Sequence, residues 1–120
     1  MELIHDLSAR ANLDADQTAT GLGTLLFAVR MGIDARTWDQ VKSVIPDAAS
    51  LLSRASPATG RTAEIVSFTA PGAVRKALAV SGIPETAVTI LADALRDLIR
   101  TKLSADAAGR AVAALDRALG

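Results

Sequence analysis

The chain has no cysteine and no tyrosine, one histidine and one tryptophan. Without cysteine there is no disulfide staple, and a palette this poor in His and Cys offers little for nucleophilic, redox or metal chemistry. An excess of one charge is missing too. The 13 basic and 13 acidic residues cancel, and the sequence pI is near 6.6. A neutral chain lacks the electrostatic footprint of a nucleic-acid binder or of an adaptor for anionic membranes. Long apolar runs are also lacking. The longest uncharged stretch, Gln17 to Val29, is too short to span a bilayer and is interrupted by Gly and Thr. Met1 to Asp6 shows no basic region ahead of an apolar segment, so no secretory signal is expected. A protein without a membrane span, placed in the cytoplasm, is the expectation.

What is present is aliphatic. Half of the 120 residues are hydrophobic, and Ala, a strong helix former, makes up about a fifth of the chain. This length is one ordinary domain, able to bury a core without disulfides or metals. The charge is slightly polarised, with net −2 over residues 1–60 and net +2 over 61–120.

Apolar spacing is helical throughout. A first helix is predicted over Glu2 to Ala11, with Leu3, Ile4 and Leu7 on one side and an Asp6–Arg10 ion pair on the other. Asn12-Leu13 ends it. Asp14 and Gln17 form a capping box for a helix to about Met31, striped by Ala19, Leu22, Leu26 and Val29 and closed by Gly32. Thr37 and Gln40 predict another capping box, opening a short helix with Trp38, Val41, Val44 and Ile45. Pro46 ends that helix, and Asp47 caps a short one carrying Leu51 and Leu52. Ser56 to Gly72 is rich in Pro, Gly, Ser and Thr and reads as a linker, centred on about 56–70. Its Ile65 to Thr69 is the one β-rich stretch. Helix is expected again from Pro71 to Gly82 and from Pro84, as first helical residue, to Lys102. Ser104 caps the last helix, Ala105 to Leu119.

Motifs with a chemical reading are weak. Glu2-x-x-His5 has the spacing of half a carboxylate di-metal site, but no second His exists in the chain. Ala55 to Thr62 resembles a phosphate-binding loop with its first Gly replaced by Ala55 and its Lys by Arg61. Ser8 lies near His5 without the geometry of a nucleophile elbow. Asp93 and Asp97 alternate with Arg96 and Arg100, as on a solvated charged face. None supports catalysis. No cofactor and no metal are expected.

Gly21 and Gly23 fall inside a predicted helix, where each is about 1 kcal/mol less favourable than Ala. The compensation expected is close helix packing, with a hinge or π-bulge as the alternative. Trp38 is read as core, with an exposed partner anchor as the alternative, and Phe27 and Phe68 as core.

The residues Glu2-Leu3-Ile4, Gln17, Gly21-Leu22-Gly23-x-Leu25-Leu26, Val41, Ile45-Pro46-Asp47 and Leu51-Leu52 together resemble the VcgC/VcgE-like family of small bacterial proteins of unknown function. The likeness continues more loosely through Leu78-x3-Gly82-Ile83, and Thr59 to Ala73 departs from it. It implies an all-helical domain and carries no activity or site residues.

The sequence therefore predicts an all-α, single compact domain of six to eight helices, several of them short. Its sub-regions, 1–55 and 71–120, share that domain. The function expected is that of a non-enzymatic helical interaction module that forms a homo-oligomer. The alternative is a carrier of an apolar small molecule in a pocket lined by Leu and Val. Mean hydropathy is +0.31, and self-association is a natural sink for such apolar content. The interface is expected on Leu91, Leu95, Leu98, Val112 and Leu119, because the apolar arcs of the last two helices are wider than one neighbour covers.

Overall fold

The computed structural model describes residues 2–45, 48–53, 73–80 and 82–119. These form seven helices: α1 Glu2–Ala11, α2 Ala15–Met31, α3 Ala35–Val44, α4 Ala48–Ser53, α5 Ala73–Val80, α6 Glu85–Lys102 and α7 Ala105–Leu119. No strand occurs among the described residues. The expected linker, the Ile65–Thr69 stretch, Phe68 and the loop around Ala55 to Thr62 lie outside them.

α2 is the central element. It packs against every other described helix, and α7 packs in turn on α3, α5 and α6. One core is thus shared by residues from both sub-regions. The sequence reading gave α2 a single apolar stripe. Instead it is buried nearly all round, with Thr18, Gly21, Gly23, Thr24 and Ala28 buried as well as Leu22, Leu25, Leu26 and Val29. A helix surrounded by neighbours needs no polar face. Its Thr hydroxyls do not compromise this. Thr18 Oγ1 donates to the Asp14 carbonyl and Thr24 Oγ1 to the Thr20 carbonyl, so both are satisfied within the helix.

The ends follow local chemistry. Asp14 Oδ1 accepts from the Gln17 amide at 2.7 Å, and Gln17 Oε1 accepts from the Asp14 amide at 3.2 Å. This is the predicted capping box. α3 starts earlier than expected. Asp34 occupies its N-cap position, and Thr37, three residues on, donates its hydroxyl to Asp34 Oδ1. Thr37 is therefore inside the helix, and the Thr37–Gln40 box does not open it. Pro84 is likewise the N-cap of α6, not its first helical residue.

Two helix exits are left-handed. Asn12, φ 56°, follows α1, and the Leu13 amide reaches back to the Ser8 carbonyl at 3.0 Å. Gly82, φ 81°, follows α5, with Gly82 and Ile83 amides bonded to the Ala79 and Leu78 carbonyls. The second is a Schellman motif whose apolar residue, Ile83, is buried in the core. Gly32 also caps a helix, but with φ −102°. Its lack of a side chain serves packing: a Cβ there would stand 2.7 Å from Ala114 Cβ.

Candidate interaction site

The residues expected at a dimer interface are mostly inside the molecule. Leu91, Leu95, Val112 and Leu119 are buried by the chain's own helices, and Leu98 is half-buried against the same core. The arcs on α6 and α7 are wide because α6 meets α1, α2, α3, α5 and α7, while α7 meets α2, α3, α5 and α6. Val112, though buried, is part of the floor of a surface groove, whereas Leu91, Leu95 and Leu119 are core residues away from that groove's lining. The apolar content is absorbed in the same way. Met31, 41% exposed, is the one exposed large hydrophobic residue among those described. A surplus of apolar surface is thus no argument for association.

The close-packing residues fare differently. A Cβ on Gly21 would approach Leu91 Cδ1 to 2.6 Å, so α2 and α6 cross where that side chain is missing. Gly23 is buried in α2, and Trp38 is buried at 8% exposure on α3. Phe27 packs at the edge of the core.

The candidate chemistry of the sequence acquires structural roles. His5 is exposed. Among the described residues no group of three or more metal-binding side chains converges. Ser8 Oγ lies 2.7 Å from the Ile4 carbonyl and 2.9 Å from Thr18 Oγ1; one of the two hydroxyls turns its hydrogen from its helix carbonyl to the other, linking α1 to α2. Asp93 accepts from Arg96, whose Nε and Nη2 both reach Asp116 Oδ1 at 2.7 Å, joining α6 to α7.

Two surface grooves stand out among the described residues. The smaller, about 250 Å³, lies between α5 and the start of α6, over Ala79, Ile83 and Val88. Two of its three charged rim residues pair with each other. Arg75 Nη1 is 2.8 Å from Glu85 Oε1, and Arg75 Nε donates to the Leu119 carbonyl at 2.9 Å, at the C-terminal end of α7. Arg75 thereby neutralises carbonyl dipole charge while holding three helices together.

The larger groove, about 520 Å³, runs along α7 beside the end of α6. Ala108 and Val112 are its buried floor. Ala105, Gly109 and Ala113 form its outer line, four residues apart and all exposed. That spacing keeps them on one helix face. A Cβ at Gly109 would meet nothing within 4 Å. Gly109 is therefore unlike Gly21 and Gly32: no contact among the described residues requires it to be small. Arg100 closes one end of the groove and Asp116 the other. None of these three residues is among the interface positions expected from the sequence. The i, i+4, i+8 spacing was the available signal.

No described helix is long and apolar enough to cross a membrane. No family model matches the chain, nor does any curated protein or solved structure.

Proposed function

We propose that the protein is a non-enzymatic helical interaction module that associates with a second copy of itself through the α6–α7 groove. The observation that carries this reading is the exposed small-residue line Ala105, Gly109, Ala113 above an apolar floor. Helices pack with axes 8–10 Å apart, and the shortest separations need small side chains at the contact. Gly109 weakens an exposed helix by about 1 kcal/mol relative to Ala, with no contact among the described residues in return. A helix seated in the groove supplies the missing compensation. The carrier alternative has less support among the described residues, where neither groove is lined mainly by Leu and Val. The resemblance noted in the sequence implies architecture alone, so the reading rests on this geometry and keeps the cytoplasmic setting expected above.

Sedimentation equilibrium of the wild type and Gly109→Gln tests it. The variant adds a long polar side chain where the fold leaves space. The wild type should be dimeric at micromolar concentration, and Gly109→Gln a monomer with unchanged helix content. A wild type that remains monomeric overturns the reading.

A further inference from the structure

The two ends of the α6–α7 groove carry opposite charge. Arg100, at one end, is exposed in the last turn of α6 and has no ion-pair partner among the described residues. Asp116, at the other, lies about 16 Å further along α7 from Ala105, at 1.5 Å rise per residue. It belongs to the trio Asp93, Arg96 and Asp116, which carries one net negative charge. Arg96 reaches only Oδ1 of Asp116, and the Asp116 side chain stays half exposed, so the other carboxylate oxygen is open to a further donor.

A groove with a cation at one end and an anion at the other is complementary to itself under a two-fold axis. Resting on the self-association proposed above, we infer that two copies pair with their α7 helices antiparallel, crossing near Gly109 and Val112. Arg100 of each copy then meets Asp116 of the partner subunit. The parallel arrangement sets Arg100 against Arg100 and Asp116 against Asp116, so like-charge repulsion selects the antiparallel register. The small line supplies close contact, and the charged ends supply orientation. Asp97, one turn before Arg100, does not line the groove.

Charge reversal in both directions tests the register. Arg100→Glu and Asp116→Lys should each weaken dimerisation by about tenfold or more, since each affects two symmetric pairs and every tenfold corresponds to 1.4 kcal/mol. The double variant should recover most of the wild-type affinity, and raising salt should weaken the wild-type dimer. Circular dichroism and the affinity of the double variant separate this from loss of the internal Arg96–Asp116 bond. A dimer lost in Gly109→Gln but not rescued by the double reversal overturns the antiparallel register while leaving self-association standing. A monomeric wild type overturns both.

Discussion

Gly21 and Leu91 meet so closely that a Cβ on the glycine would lie 2.6 Å from Leu91 Cδ1. Leu91 is fully buried, and its terminal methyl is the atom that must move. Gly21→Val should therefore destabilise the protein by about 1–3 kcal/mol through overpacking. In a double-mutant cycle with Leu91→Ala, the combined cost should be less than the sum, because the truncation vacates the space the valine needs. Chemical denaturation measures both. Simple additivity would show that the two positions do not compete for one space.

Gly32 offers a sharper version of the same contact. Its opposing atom is Ala114 Cβ, 2.7 Å from the position of an added Cβ, with Ala114 Cα at 3.5 Å. Ala has no rotamer with which to withdraw. Since φ at Gly32 is −102°, backbone strain does not enter. Gly32→Ala should cost about 1–3 kcal/mol by overpacking, and Ala114→Gly should recover part of that loss in thermal denaturation. A neutral Gly32→Ala would mean that the end of α2 and α7 shift apart freely.

Gly82 is the converse case. Its nearest neighbour to an added Cβ, Gln17 Nε2, is 3.9 Å away, so there is room, but φ is 81°. Gly82→Ala should cost about 1–2 kcal/mol from left-handed strain alone. Gly82→Asn should cost less, as Asn adopts this conformation more readily. Equal stability of the two variants in urea would contradict the assignment.

Asp34 carries a pH dependence. The hydroxyl hydrogen bond from Thr37 is the main cause holding its carboxyl below the ordinary range, with backbone amides and the Arg110 charge assisting against desolvation. A carboxylate with a lowered folded pKa stabilises the protein above its unfolded pKa, and this contribution is lost as pH falls through the folded value. Thr37→Val should flatten the acid side of the stability–pH curve below the ordinary Asp range. An unchanged curve would remove Asp34 as a contributor. Asp34 is fully exposed, so the effect is small beside the packing terms.

Much of the fold was legible in the sequence because helix ends and helical periodicity are local. Asp14 and Gln17 form their box, α1 spans the expected residues, and the last helix runs from Ala105 to Leu119. The start of α3 was misread because Thr37 and Asp34 both suit a cap, and only the pairing of their side chains decides which one is inside. Burial on α6 and α7 was misassigned for a different reason. An apolar arc records how many neighbours a helix has, not whether they come from its own chain. Leu91 and Leu95 face helices of this chain. The groove stayed hidden because Gly109 and Gly32 look alike in sequence, while one faces open space and the other Ala114.

The absence of native cysteine makes the most direct test simple, since Gly109→Cys introduces the chain's single thiol. The added Cβ has room in the fold, and antiparallel α7 helices crossing near this residue bring the two copies' thiols close to disulfide range, about 4.4–6.8 Å between Cα atoms. At micromolar concentration under mild oxidation, Gly109→Cys should convert rapidly to a covalent dimer. Ser53→Cys, an exposed position on α4, should convert slowly. Equal, slow oxidation of the two variants would contradict association through this groove.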